Sequence, residues 1–377
     1  MRDWRYVPEL ALREVYKSLG RRDRLSCTLV CPQWRNAMDY VGLWRKMTVH
    51  IDSDFTVSSD LFLEPSTIFL TRYYHKYLQS LDLSWATPAL SQSKWSHLRY
   101  DDLTKKVGRY LIILYDSYVQ LSHLKISDWY NIFHMRKLSY FLIRFIKYQH
   151  NLRTLHLSNA NFYAIDFSKI LASCMNSSTC LVELNVRYSS AYAKKRFDGW
   201  IFASCLETFV SLRELTVDYW IFCDFAVKVQ TENHNFVKAK IILNENEGAS
   251  ENLPEITSEN WSNMRKIFPN LTVHLLIDRA LKFDEIDLIL KPQMPLTHFS
   301  SRLFFEDVQD DSYEYKQALK LLADRFKKTI ESVKLEIDLD SKRLTREIHY
   351  ILFRCKKLKS LRYNCEELMT GRILLLR

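Results

Sequence analysis

The stretch "NLRTLHLSNA" at 151–160 decides how the chain is to be read. Leu152, Leu155 and Leu157 follow the form LxxLxL, and the last two are separated by one polar residue, His156. Successive side chains of a strand point to opposite faces, so this alternation predicts a short strand with one buried side. The same form recurs in "YLQSLDLSWA" (77–86), "QLSHLKISDW" (120–129), "CLVELNVRYS" (180–189) and "SLRELTVDYW" (211–220). Looser copies follow in "FVKAKIILN" (236–244), "NLTVHLLID" (270–278), "PLTHFSSRLF" (295–304), "TIESVKLEID" (329–338) and "KLKSLRYNC" (357–365). A pattern returning every few tens of residues marks an array of small units, each burying its apolar face against the next.

Between the copies lie amphipathic segments. Leu138, Phe141, Leu142, Phe145 and Ile146 are spaced i, i+3, i+4, i+7, i+8, and Phe167, Ile170, Leu171, Cys174 and Met175 repeat that spacing; both predict helices with one buried face. Leu344, Ile348, Ile351, Leu352 and Cys355 predict another. Strand and helix alternating under a recurring LxxLxL resembles the leucine-rich-repeat horseshoe. That resemblance implies an α/β solenoid over 51–377, its strands parallel on the concave side and its helices outside. Leu83, Leu124, Leu155, Leu184 and Leu215 are then expected to be buried and stacked in register, one per strand. The polar residues between the apolar ones, Asp82, Lys125, His156, Asn185 and Thr216, are expected on the concave face, joined by Lys334 and Glu336. The aromatics after the strands, Trp85, Tyr188 and Tyr219, either add contact area for a bound substrate or cap the core. Copies stand about 28 to 43 residues apart, and the asparagine or cysteine usual after the strand is replaced by Ala86, Trp129, Ala160, Ser189 and Trp220. The array is therefore irregular. Two acidic stretches, 244–260 and 306–314, interrupt its later part.

Composition excludes several chemistries. The chain has 377 residues and is 47% hydrophobic, enough for a large core in more than one unit. Its six glycines, at 20, 42, 108, 199, 248 and 371, never fall close together, so neither a dinucleotide fingerprint nor a phosphate-cradling loop is present. The eight cysteines are scattered without a CxxC, which points to buried thiols in a reducing compartment, not to a disulfide framework or a zinc site. No HExxH, GxSxG or close Ser/His/Asp grouping occurs. No long apolar run or leader-like start is present, so an intracellular protein, cytoplasmic or nuclear, is expected, with no cofactor, no metal and no membrane. The net charge of +10 comes from dispersed basic residues, which disfavours nucleic acid and suits an acidic protein partner.

The first 50 residues read differently. In "WRYVPELALREVYKSL" (4–19) Pro8 can open a helix, Leu12, Val15, Tyr16 and Leu19 fall at helical spacing, and Gly20 ends it. "RLSCTLVCPQWRNAMDYVGLW" (24–44) continues with a second short helix carrying Leu25, Leu29 and Val30. Pro32 then starts a third, with Trp34 and Met38 on its buried face. Three helices this short need help from a neighbour to be stable. Together these residues resemble the F-box. The family's pattern of tryptophan, Leu-Pro, a helix ending in Ile-Phe and leucine, Val-Cys-x-x-Trp and a final Leu-Trp falls on Trp4, Val7, Pro8, Val15, Tyr16, Leu19, Val30, Cys31, Trp34, Leu43 and Trp44. Val7, Ala11, Tyr16 and Pro32 depart from it.

The resemblance implies that residues 1–50 bind a Skp-family adaptor through Trp4, Val7, Pro8, Val15, Tyr16, Leu19, Val30, Cys31 and Trp34. Trp44, at the boundary, is expected to pack on the first repeat. A non-catalytic, substrate-recognition role in an SCF-type cullin-RING ubiquitin ligase follows, with the repeats holding a protein destined for degradation. The rival reading is a scaffold whose F-box serves an assembly independent of any ligase.

Overall fold

Pro8 and Pro32 set the start of two of the three helices with which the structure begins. The structure is a computed structural model that describes residues 7–51, 55, 66–84, 96–129, 135–160, 162–187, 199–230, 235–244, 253–279, 283–303, 311–337, 344–364 and 373–374. Helices α1 (Glu9–Ser18), α2 (Arg21–Cys27) and α3 (Pro32–Ala37) are followed by one tight turn of 3-10 helix, Val41–Leu43. Proline costs little at a helix start, where its missing N–H would have no intrahelical partner. Pro8 instead contributes its carbonyl, which accepts from Leu12 N at 3.1 Å.

Strand and helix then alternate. In order come β1 (Lys46–His50), α4 (Ser66–Tyr74), β2 (Ser80–Ser84), α5 (Ser96–Asp116), β3 (His123–Ser127), α6 (Met135–Lys147), β4 (Thr154–Ser158) and α7 (Ala164–Ser173). They continue as β5 (Glu183–Asn185), α8 (Gly199–Thr208), β6 (Glu214–Asp218), α9 (Tyr219–Lys228), β7 (Lys238–Asn244), α10 (Ser258–Ile267), β8 (Thr272–Asp278) and α11 (Phe283–Ile289). The last are β9 (Leu296–Leu303), α12 (Asp311–Phe326), β10 (Ser332–Ile337), α13 (Thr345–Arg354), β11 (Ser360–Asn364) and β12 (Ile373–Leu374). No described helix is long and apolar enough to cross a membrane. The described residues up to Leu181 form one compact unit and those from Val182 onward form another.

In the first unit β1, β2, β3 and β4 pair in parallel, each with the next. Every strand is placed by one carbonyl from the preceding repeat. Arg45 O accepts from both Gln79 N and Ser80 N at 2.9 Å. Gln79 O accepts from Ser122 N and His123 N (2.8 and 3.1 Å), and Ser122 O from Arg153 N and Thr154 N (2.8 and 3.1 Å). A carbonyl oxygen has two lone pairs, and here both are used. The resulting register stacks Leu81, Leu124 and Leu155 in one buried row, and Leu83, Ile126 and Leu157 in the next. Leu83 is therefore buried but one pleat out of the row expected for it; Leu81 takes that place. The helix side of the sheet holds Met47, whose sulfur is met by the hydroxyls of Thr71 at 3.6 Å and Tyr110 at 3.3 Å. Gly108 lets α5 approach α6, since a Cβ there would come within 2.8 Å of the Phe141 ring.

The strand ends of this unit carry their own repeat. Asp128 and Asn159 follow β3 and β4 with φ of 64° and 53°, a left-handed conformation that Asp and Asn tolerate better than other non-glycine residues. Asn159 Nδ2 donates to Asp128 Oδ1 at 3.0 Å, and Trp129 N donates to Asn159 O at 2.8 Å. Trp129 and Ala160 are buried, and Trp129 packs against Phe162. These strand-end residues cap the core. Met175, expected on the buried face of α7, instead lies exposed in the 3-10 turn Cys174–Ser177.

The N-terminal helices are joined to this unit without a break. β1 lies inside the first 50 residues and already belongs to the sheet. Trp44 is buried, stacks on Tyr74 of α4 with centroids 4.2 Å apart and planes at 4°, and donates from Nε1 to Met38 O at 2.7 Å. The sequence contained β1, "KMTVH", but its lone apolar pair gave no repeat signature.

In the second unit β5 to β11 pair in parallel, again in chain order, and β12 closes on β11 antiparallel. The carbonyl device returns, with Val182 O accepting from Arg213 N and Glu214 N, and Arg213 O from Val237 N and Lys238 N. One irregularity breaks the ladder. Val273 is partnered by Leu296 but His274 by His298, so β9 carries one extra residue there. Leu184 and Leu215 are buried and adjacent, as expected. The stacked leucines make a direct prediction. Leu155→Ala should destabilise the first unit by about 2–5 kcal/mol, and amide exchange should show protection lost in β3 as well as β4.

Candidate functional site

The molecule presents three candidate surfaces, one on the N-terminal helices and one on each sheet. In the helical part Leu12 and Tyr16 are the buried residues of α1. The Tyr16 ring meets Trp34 of α3 edge-on at 6.2 Å, and its hydroxyl donates to Trp34 O at 2.8 Å. Burial, and more weakly the neighbouring Cys27, Tyr74 and Cys31, push this phenol up to about 12, so it stays a donor. The extra oxygen relative to the phenylalanine of the F-box pattern is thereby satisfied. Arg24 ties the same corner together, donating from Nε to Tyr16 O at 2.7 Å with its guanidinium 5.7 Å from the Trp44 ring. Gln33 Nε2 donates to Val7 O at 2.8 Å and anchors the chain ahead of α1.

Of the residues expected to meet an adaptor, Trp4 lies outside the described residues. Pro8, Val15 (39%) and Val30 (55%) are exposed, while Val7, Leu19, Cys31 and Trp34 are half-buried. Tyr16 is a correction: it is fully buried, so it supports this surface from beneath and does not form it. Leu29, 80% exposed, was assigned by the pattern to a helix face. It sits instead in the turn after α2, where the chain must leave the helix before Pro32, and adds apolar surface beside Val30. Leu10 is also exposed, at 73%, but on another side of α1 from Val15. Large exposed aliphatics on so small a module mark a contact surface. Burial pushes the Cys27 thiol up, and those of Cys205 and Cys355 to about 11, which disfavours the thiolate at these three positions.

On the first sheet Thr48, Asp82, Lys125 and His156 stand in register across β1 to β4 on the polar face. Lys125 Nζ and Asp82 Oδ2 are 3.0 Å apart. The expected row is thus assembled for Asp82, Lys125 and His156. Trp85 lies outside the described residues.

On the second sheet Asn185, Thr216, Lys240, His274, His298 and Ser332 form one row. Tyr188 lies outside the described residues. Tyr219 corrects the expectation: it is buried as the first residue of α9, with its hydroxyl donating to Pro254 O at 3.0 Å. Lys334 and Glu336 stand on the same polar face but two and four residues beyond the row: Ser332 pairs with His298, and Lys334 lies beside Ser300 and Arg362.

Sequence reasoning missed the pair His274 and His298, whose rings stack at 3.8 Å with planes at 23°. No spacing rule could find it, because it depends on the irregular step in β9. Burial, followed by His298, Lys238 and Lys240, pushes His274 down to about 4, against an opposing pull from Glu214. His298 is lowered too, chiefly by burial. Glu214 pairs with Lys238 at 2.7 Å, and Glu336 pairs with both Lys334 and Arg302. Among the described residues no three His, Cys, Asp or Glu side chains cluster to hold a metal.

Residues 5–46 match the family model of the F-box domain. Among solved structures the chain is similar to a leucine-rich repeat-containing protein, LegL7, from Legionella pneumophila, at 14% identity and a TM-score of 0.39 over 89% of this chain and 87% of that one. That likeness is distant, and the repeat architecture rests on the strand ladders themselves. The chain carries an F-box domain followed by strand–helix units of leucine-rich-repeat type.

The histidine pair gives a pH signature. An unfolded imidazole titrates near 6.5, whereas His274 in the fold does so at about 4. Between these values the unfolded chain binds more protons, so stability is full above the unfolded value and falls as the pH drops through the folded one. Urea midpoints measured from pH 7 to pH 4 should decline, and His274→Asn should flatten that decline.

Proposed function

We propose that this chain is the substrate-recognition subunit of an SCF-type ubiquitin ligase. Its F-box surface binds a Skp-family adaptor, and its repeat units hold a protein substrate for ubiquitination and degradation. The observation that carries this reading is the F-box match at 5–46, joined within one compact unit to the first parallel sheet. Pro8, Val15, Leu29 and Val30 supply exposed apolar contact, and Tyr16 and Trp34 brace the helices beneath them. Ten Lys and Arg against five Asp and Glu in residues 1–46 suit an acidic adaptor. The work such a subunit does is positional. Holding a substrate raises the effective concentration of its lysines near a ubiquitin-charged enzyme recruited elsewhere, so this chain needs no catalytic group.

Binding of a purified Skp-family adaptor tests the first half. Val15→Asp and Val30→Asp, at exposed positions that leave the core intact, should each weaken capture by about tenfold, that is about 1.4 kcal/mol. Undiminished capture by a chain lacking residues 1–47 would sink the reading. Cullin should co-purify with the adaptor; adaptor without cullin would favour the ligase-independent scaffold.

A further inference from the structure

Charge on the polar face of the second sheet is out of balance at one place. Lys240, in the middle of β7, is half-buried, and among the described residues it has neither an ion pair nor a hydrogen bond. Arg187, two residues beyond Asn185, is also half-buried, and its Nε is shut away from solvent without a hydrogen-bond partner. Burial, then Arg187, Lys238 and Lys334, hold the Lys240 ammonium below its usual range, so the groups acting on it share its sign. Carboxylates of this face pair with other cations: Glu214 with Lys238, Glu336 with Lys334 and Arg302, and Asp278 with Arg302 at 3.7 Å. The partners of Lys240 along the row, Thr216 and His274, bring no negative charge.

Removing a cation from water without a counter-charge costs the fold and returns no contact. A group kept in that state gains its partner from outside the chain, and perturbed charges of this kind concentrate where binding occurs. We infer that Lys240 and Arg187 form a receptor for one anionic side chain, carboxylate or phosphate, of a protein segment lying across the second sheet. The stacked His274 and His298 rings lie next to Lys240 in the row and offer a flat, uncharged surface beside it at neutral pH. A nucleic-acid backbone fits less well, because Glu214, Asp278 and Glu336 share this face and would meet a continuous run of phosphates. The inference deepens the proposed function, since it rests on this face being where a protein is held.

The test uses the full chain and four immobilised libraries of nine-residue peptides, fixed at the central position as glutamate, phosphoserine, serine or lysine and otherwise random. Glutamate or phosphoserine peptides should be retained, and serine and lysine peptides should not. Lys240→Gln and Arg187→Gln should each reduce retention about tenfold, while Lys240→Arg keeps it. Urea denaturation of Lys240→Gln should show a midpoint equal to or above the parent's, since a like charge has been removed; a lower midpoint with unchanged retention would mean a structural lysine. Retention of phosphoserine but not glutamate assigns the anion to a phosphorylated segment, and equal retention assigns it to either source. Retention that ignores the central residue, or survives Lys240→Gln, overturns the inference, as does a single-stranded oligonucleotide bound in place of peptides and lost in the same variant. Adaptor capture measured on the same samples separates the two levels. Peptide retention without adaptor binding leaves the receptor standing and removes the ligase reading, and adaptor binding without peptide retention does the reverse.

Discussion

A backbone carbonyl shared between two N–H groups of the next repeat is the interaction on which the rest of the structure depends. Arg45, Gln79 and Ser122 provide it in the first unit, and Val182, Arg213 and Glu331 in the second. Two bonds converging on one oxygen fix where each strand starts, and a strand that starts at a fixed point has no freedom to slip by one residue and turn its leucines outward. The first of these oxygens belongs to the residue just before β1, directly behind the F-box helices. The same bond that sets the register of the sheet therefore also ties the helical module to it, and Trp44 stacked on Tyr74 fills the joint.

Because register is fixed so firmly, a single departure has wide effect. The extra residue in β9 brings two histidines face to face and shifts every later side chain relative to the row it would otherwise have joined. Lys240 stands between Thr216 and His274 in the regular part of the ladder beside this step, while the nearby glutamates pair with other cations. Local stability and surface chemistry pull against each other here, since an uncompensated ammonium weakens the fold wherever it is charged, and two imidazoles held neutral weaken it as the solution becomes more acidic.

Much of this was legible in the sequence, for reasons that differ from element to element. The strands at β2, β3, β4, β5 and β6 announced themselves because LxxLxL carries both the period of a strand and the approach to it. The row Asp82, Lys125 and His156 followed from alternation alone. Leu83 was misplaced although the LxxLxL form sets Leu81 against Leu124 and Leu83 against Ile126, the register that the strands adopt. Lys334 and Glu336 stand on the polar face as alternation requires, but which residue of β10 joins the row was not legible, because a bulge is a property of two strands together and leaves no mark in either. In the F-box Tyr16 and Trp34 were legible as apolar spacing, but whether Tyr16 faced a partner or the interior was not. That depended on a carbonyl 18 residues away being free to accept its hydroxyl. Leu29 escaped because periodicity continues a helix past the point where a following proline stops it.

The short antiparallel strand β12 has a consequence for how molecules of this protein meet one another. A parallel sheet that ends on a bare strand presents a row of unpaired backbone groups, a template on which another chain can add. Here Ile373 and Leu374 run back along β11 opposite Arg362 and Leu361 and take up part of that row in the wrong direction for a further repeat to follow. A second molecule arriving at this edge finds Leu361 and Arg362 already paired, so strand addition there is disfavoured at a cost of two residues.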